Sequence, residues 1–208
     1  MPVPFKVPRF YPILDTAVLK AHGSAPADAA DALLNAGLRI LQYRHKDPWT
    51  QSDYDHAAHI AEMCHKAGAL FVINDRADFA HLLHAALHVG QDDLPPIAAR
   101  RVMSDEVIGL STHSRRQLVN GDQEPVEYLS LGPIFATASK LKPDPVVGIE
   151  GLKKLRPLTK KPLVAIGGIT VENAMDVIEA GADSVAVISG LMPVKTRVRE
   201  WVQLFGRD

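Results

Sequence analysis

Residues 163–190 read Leu-Val-Ala-Ile-Gly-Gly-Ile-Thr-Val-Glu-Asn-Ala-Met-Asp-Val-Ile-Glu-Ala-Gly-Ala-Asp-Ser-Val-Ala-Val-Ile-Ser-Gly. This stretch constrains the fold more than any other. Residues 163–166 are an apolar run without alternation, as a strand buried on both faces requires. Gly167 and Gly168 break the run, and their missing Cβ atoms admit a close backbone or ligand. Thr170 is placed to cap a helix with Asn173 in its first turn. Ala174, Val177, Ile178 and Ala180 give that helix an apolar stripe at the 3.6-residue period. Gly181 follows the helix end, where a left-handed residue is wanted. A second buried strand, 184–188, ends at Ser189-Gly190. The unit is βαβ, so its strands are expected to be parallel. Both end in small residues able to turn backbone N–H groups to a phosphate. The same Gly-Gly pair also fits a tight turn that binds nothing.

The rest of the chain repeats this rhythm. Strands are expected at 10–14, 38–43, 70–73, 87–89, 107–110 and 128–131, with helices from Ser24 to Gly37, over 49–66, 79–84, 96–101, 115–119 and 149–156, and a last helix ending near Phe205. Asn35-Ala36-Gly37, Lys66-Ala67-Gly68 and Glu179-Ala180-Gly181 form a loose internal repeat, each a helix stop before a buried strand. Eight strands alternating with helices predict an α/β fold, a compact (β/α)₈ TIM barrel spanning residues 1–208 as one domain, with 1–9 as an irregular N-terminal arm. A doubly wound open sheet is the alternative. The 208 residues can bury roughly 70% of their unfolded surface.

Composition excludes several classes of function. A formal net charge of −1 argues against a nucleic-acid or acidic-membrane surface. No run is long enough to span a membrane, and the proline-punctuated start is not a signal peptide. The single cysteine, Cys64, permits no internal disulfide, which suits a cytoplasmic setting, and it reads as a small buried residue. His56, His59, His65, His81 and His84 are spread over helices and read as helix-surface residues.

Gln42, Arg44, Lys46, Asn74, Asp75, Asp93, Ser111, His113 and the Gly-Gly loop all fall at C-terminal strand ends. In a barrel these ends converge on the active-site face, and strands seven and eight occupy its usual phosphate position. Asp75 and Asp93 close adjacent strands, and two neighbouring carboxylates call for a cation such as Mg²⁺. The other reading pairs Asp75 with Arg76 or Arg44 and makes Asp93 a helix cap. Lys46 and Lys140 can meet phosphate as point charges, and Arg44 can do so bidentately, unless they form a solvated rim. Thr137, Ser139 and Lys140 put two hydroxyls and an ammonium within one turn, enough with Mg²⁺ for a pyrophosphate clamp. A clamp beside a separate monophosphate cradle implies two phosphorylated small-molecule substrates.

The motifs Gln42-Tyr43-Arg44-His45-Lys46, Asn74-Asp75-Arg76, His88-Val89-Gly90-Gln91-Asp92-Asp93, Gly109-Leu110-Ser111-Thr112-His113, Gly132 through Lys140, Gly167-Gly168-Ile169 and Val187-Ile188-Ser189 stand in an order that resembles the thiamine-phosphate synthase family. The resemblance runs from about Tyr11 to Gly190. It implies a transferase that condenses a hydroxymethylpyrimidine pyrophosphate with a thiazole phosphate and releases pyrophosphate. It further implies Mg²⁺ on Asp75 and Asp93. Gln42, Arg44, Lys46, Asn74, Thr137, Ser139 and Lys140 would hold the pyrimidine pyrophosphate, with Tyr11 near the pyrimidine. Ser111 would lie beside the reacting centre, so that Ser111, Lys140 and Arg44 are the catalytic candidates. Gly168, Ile188 and Ser189 would hold the thiazole phosphate.

His45 stands where the family often has Glu, and is expected to alter the charge near Lys46. Ala136 stands for a common Pro, and Ala85-Ala86 replaces a Gly-containing helix stop. The related thiazole tautomerases share the barrel and use a His in the strand-five motif, matched here by His113. They hold no pyrophosphate, so the carboxylate pair and the clamp favour the synthase. A non-catalytic phosphate-ligand barrel would be expected to lack one of them. The sequence leaves open the oligomeric state, a homodimer included, and whether the thiazole substrate carries a carboxylate.

Overall fold

The computed structural model describes residues 5–137 and 144–206. Eight parallel strands close into a barrel in chain order. They are β1 (Phe10–Asp15), β2 (Ile40–Arg44), β3 (Leu70–Asn74), β4 (Ala86–Val89), β5 (Ile108–Thr112), β6 (Tyr128–Leu131), β7 (Leu163–Ile166) and β8 (Ser184–Val187). The helices are α1 (Thr16–Ala21), α2 (Pro26–Asn35), α3 (Gln51–Ala67), α4 (Ala77–Leu82), α5 (Pro96–Ala99), α6 (Arg115–Asp122), α7 (Gly148–Leu155), α8 (Ala174–Glu179) and α9 (Val194–Phe205). The open-sheet alternative is removed by the pairing of β1 with β8, in which Phe10, Tyr11 and Pro12 face Val185, Ala186 and Val187.

Two apolar layers hold the barrel. The outer layer lies between sheet and helices and includes Leu14, Leu41, Ile73, Leu87, Leu129 and Val185. Phe10 and Trp201 stack there with ring centroids 4.7 Å apart, tying α9 to β1. The inner layer contains Tyr11, Ile40, Val72, Ala86, Tyr128 and Val164. The strands are buried on both faces, so the chain shows no clean hydrophobic alternation, although the two-residue period still sorts side chains inward and outward. The N-terminal arm contributes to the inner layer. Val7 is buried in it, and the Phe5 ring lies 5.8 Å from that of Tyr128.

The helix stops behave as the repeat predicts. Gly37, Gly68 and Gly181 all adopt the left-handed conformation, with φ of 99°, 66° and 107°. At the end of α4, where glycine is missing, His84 takes that role at φ 49°. Cys64 is buried, and burial pushes its thiol up to about 12. His56, His59, His65, His81 and His84 are exposed, as expected.

Several boundaries differ from the sequence expectation. The turn α1 was not anticipated. Asp15 caps it by accepting from the Val18 amide at 3.0 Å, a cap that the following Thr-Ala-Val-Leu run could have signalled. Ser24 does not open α2, which starts at Pro26 after Ala25. Residues 38 and 39 belong to the approach to β2 rather than to the strand, and β5 runs two residues further, through Thr112. Thr170 does not cap α8. The Thr170 amide instead donates to Asn173 Oδ1 at 2.8 Å, residues 171–173 form a turn, and the helix begins at Ala174. Strand β8 stops at Val187, and residues 189–191 form a short 3₁₀ turn. Strand ends are where loop hydrogen bonds compete with the ladder, so these shifts lie within ordinary fraying.

Candidate active site

The C-terminal ends of the strands surround a cavity of about 550 Å³. Tyr11, Gln42, Arg44, Lys46, Asn74, Asp75, Asp93, Ser111, Thr137, Gly168, Ile188 and Ser189 all line it. The sequence also nominated Ser139 and Lys140, which lie outside the described residues. The convergence is a consequence of parallel closure, which brings eight distant loops to one mouth.

Arg44 and Lys46 each have a carboxylate partner. Arg44, at the end of β2, is ion-paired with the buried Asp15 at the end of β1. Lys46 is ion-paired with Asp75. Arg76 turns away to Asp78 and lies over the Phe79 ring at 3.7 Å, so Asp75 pairs with neither arginine. Asp93 does not cap α5 either. Its Oδ2 accepts from the Gly90 amide at 2.8 Å, which folds the β4 loop and turns the carboxylate into the cavity.

Asp75 holds a left-handed backbone at φ 65°, an uncommon conformation for a residue with a Cβ. Its amide donates to the His88 carbonyl at 2.8 Å, which anchors the turn. The carboxyl of Asp75 is hydrogen-bonded to that of Asp93. Burial and this contact push the Asp75 carboxyl above the ordinary carboxylate value against the opposing pull of Lys46. Burial also pushes Asp93 upward, but hydrogen bonds from Asp75 and the Gly90 amide hold it below the ordinary value. Of the two, Asp75 is the readier to take up a proton and Asp93 the readier to keep its charge. Two hard oxygen donors suit Mg²⁺. Among the described residues no third His, Cys, Asp or Glu completes a metal cluster, so the remaining positions would fall to phosphate oxygens and water.

The Gly-Gly loop is held by the β6 loop. Ile134 N donates to Ile166 O at 2.9 Å, and Phe135 N to Gly167 O at 3.0 Å. A Cβ on Gly168 would come within 2.6 Å of the Ala136 carbonyl oxygen, and its φ is 65°. Close passage of two loops, together with backbone sign, dictates glycine there. This tight packing does not exclude phosphate binding, because the same loop lines the cavity beside Ile188 and Ser189.

His113 Nδ1 donates to Gly132 O at 2.7 Å and lies 3.6 Å from an Asp144 carboxylate oxygen. His45, by contrast, leaves the cavity. Its Nδ1 meets Thr16 Oγ1 at 2.9 Å and its ring packs edge-on against Trp49.

Sequence reasoning passed over four polar residues. Asp15 supports Arg44 as described above. Tyr128, His88 and Ser130 lie beneath Ser111 and also line the cavity. Their signal was present in the inward-facing period of β4 and β6, but each read equally well as core.

The family model described as thiamine monophosphate synthase matches residues 10–191. The chain belongs to the thiamine monophosphate synthase family. A thiamine-phosphate synthase of Koribacter versatilis is 45% identical over 207 residues, covering 96% of each chain. That of Chloroflexus aurantiacus is 35% identical over 185 residues, covering 88% of this chain and 85% of its own. Among solved structures, a thiamine phosphate pyrophosphorylase from Pyrococcus furiosus superposes with a TM-score of 0.83 at 29% identity, covering 95% of both chains. Membership in this synthase family makes the protein a transferase of thiamine biosynthesis. Barrels such as KDPGal, at 17% identity and a TM-score of 0.69, share the fold alone. Among the described residues no helix is long and apolar enough to cross a membrane.

Proposed function

We propose that the cavity joins a 4-amino-2-methyl-5-hydroxymethylpyrimidine pyrophosphate to a thiazole phosphate, carboxylated or not, giving thiamine phosphate and pyrophosphate. The observation that carries this reading is the placement, around one cavity, of a carboxylate pair with cations on β2–β4 and a glycine-serine cradle on β7–β8. The first side suits a pyrophosphate and the second a monophosphate.

In the proposed reaction the methylene C–O bond of the pyrimidine substrate breaks and its electron pair leaves with pyrophosphate. The 4-amino group of the pyrimidine feeds electrons into the resulting cation. The thiazole nitrogen then forms the new C–N bond. No protein nucleophile takes part. Arg44, Lys46 and Lys140 stabilise charge on the leaving group, with Thr137 and Ser139 donating hydrogen bonds. Asp75 and Asp93 are the residues that would hold Mg²⁺, which supplies charge neutralisation at the leaving pyrophosphate. Gln42 and Asn74 orient the pyrimidine beside Tyr11, and Ser111 faces the reacting centre. Gly168, Ile188 and Ser189 fix the thiazole phosphate so that its nitrogen is in line. The lone reduced Cys64 accords with a cytoplasmic setting.

An assay with both substrates, run with Mg²⁺ and with a chelator, tests the reading. Metal-dependent formation of thiamine phosphate and pyrophosphate is expected, and equal turnover in chelator would remove Mg²⁺. Lys140→Ala is expected to reduce turnover tens-fold or more, corresponding to loss of about 2–4 kcal/mol of transition-state stabilisation. Unchanged kinetics would remove Lys140 from the clamp.

A further inference from the structure

A line of polar groups crosses the barrel interior below the cavity. Gln42 Nε2 donates to the Tyr11 hydroxyl at 2.9 Å. The Tyr11 and Tyr128 hydroxyls are 2.9 Å apart. The Tyr128 hydroxyl is 2.8 Å from His88 Nδ1, and His88 Nε2 is 2.9 Å from Ser111 Oγ. Ser130 Oγ lies 3.4 Å from the same Ser111 oxygen. Gln42, Tyr11, Tyr128, His88 and Ser130 are all buried, and the line ends at Ser111, on the cavity wall.

A phenol has one hydrogen to give, so the line has a direction. Gln42 Nε2 donates to the Tyr11 hydroxyl, so a Tyr11 hydrogen satisfied within this line goes to the Tyr128 oxygen. Tyr128 in turn gives its hydrogen to His88 Nδ1, which must be the unprotonated ring nitrogen. The His88 ring is buried between two hydroxyls, at 2.8 and 2.9 Å, with no carboxylate hydrogen-bonded to it among the described residues, a setting for the neutral imidazole. A neutral ring with an accepting Nδ1 carries its hydrogen on Nε2 and donates to Ser111 Oγ. Ser130 approaches as a second donor. The hydroxyl hydrogen of Ser111 is thereby left for the cavity.

The barrel is shaped around this arrangement. A Cβ on Gly109 would lie 2.0 Å from Tyr128 Cζ, so the phenol occupies the space that glycine leaves on β5. His88 stacks on the Tyr128 ring with centroids 5.5 Å apart. The register pairs Asn74 with His88 and Ser111 with Ser130, fixing the donors and acceptors at one level of the barrel.

We propose that Tyr128 and His88 are positioning residues that hold Ser111 as a pure donor toward an acceptor atom of the pyrimidine pyrophosphate. The proposal rests on the reading of Ser111 as a substrate-facing residue. The opposite polarity would need His88 to carry its hydrogen on Nδ1 and the buried Tyr11 hydroxyl to turn its hydrogen away from Tyr128.

Nitrogen-15 NMR of the full chain labelled at histidine reads the tautomer directly and needs no substitution in the wild type. A His88 hydrogen on Nε2 at neutral pH is expected, and a hydrogen on Nδ1 overturns the proposal. Tyr128→Phe keeps the ring and removes the hydroxyl. It is expected to release the tautomer preference and to lower kcat about tenfold, with the KM for thiazole phosphate unchanged. In a Ser111→Ala background the same substitution is expected to cost nothing further. Equal losses in both backgrounds overturn the positioning role. If Ser111→Ala alone leaves kcat unchanged, the Ser111 reading fails and takes the donor role with it, even where the tautomer is as expected.

Discussion

The Lys46 ammonium is bonded to Asp75, and the Asp75 carboxyl is in turn bonded to that of Asp93. The Lys46 ammonium thus offsets the repulsion between two neighbouring carboxylates. If the pair serves binding rather than stability, a neutral replacement costs turnover and not the fold. Asp75→Asn removes one charge and keeps a residue that tolerates the left-handed backbone. Turnover is expected to fall on the order of 100-fold while Tm does not fall below that of wild type. Steady-state assays across Mg²⁺ concentrations and a thermal melt check this together. A large drop in Tm with retained turnover would make the pair structural.

Arg44 is anchored by Asp15, which also caps α1. Asp15→Ala removes both contacts, at about 1–3 kcal/mol of stability. Asp15→Asn keeps an oxygen for the cap but lets the guanidinium move. The asparagine variant is expected to raise the KM for the pyrimidine pyrophosphate several-fold with a smaller stability loss, measured by urea melts beside the kinetics. An unchanged KM would leave Asp15 as a cap only.

Gly168 has a left-handed backbone, and a Cβ there would press on the Ala136 carbonyl and the Phe135 side chain. Gly168→Ala is expected to displace the cradle and raise the KM for thiazole phosphate at least about tenfold, the KM for the pyrimidine substrate changing little. A selective effect on the pyrimidine substrate would reverse the assignment of the two phosphate sites.

His84 stops α4 at φ 49° and is exposed, so its Cβ carries a conformational cost without a compensating contact in the core. His84→Gly is expected to stabilise the fold by about 0.5–1 kcal/mol, a Tm gain of roughly 1–4 °C, with turnover unchanged. A lower Tm would show that the side chain makes a contact worth more than the strain.

His88 gives the fold a pH dependence. Burial lowers its pKa to about 4, below the ordinary histidine value, so the unfolded chain binds the proton more readily. Stability is therefore full above about pH 6.5 and declines as pH falls toward 4, by about 2 kcal/mol at pH 5 from this residue. Urea unfolding between pH 7 and 5 measures the slope, and His88→Gln is expected to flatten this component. An unaltered slope in that variant would assign the titration to another group.

The strand-helix rhythm, the glycine helix stops and the unbroken apolar runs were enough to specify a parallel barrel, because those features are local and periodic. The residues at strand ends were equally legible as a set. A parallel closed sheet leaves only one place for Gln42, Asn74, Asp75, Asp93 and Ser111 to meet. The boundary at Thr170 was misread because the Asn173 side chain satisfies a turn before the helix, and that at Ser24 because the helix instead opens at Pro26.

What the sequence alone determined was the architecture and which polar strand ends face the cavity. What only the tertiary structure decided was pairing. Arg44 to Asp15, Lys46 to Asp75, and Tyr128 between Tyr11 and His88 all join residues 29 to 117 positions apart. A hydrogen bond or ion pair depends on distances of a few ångströms, and those distances exist only once the barrel has closed. Periodicity assigns a side chain to a face; closure alone gives it a partner.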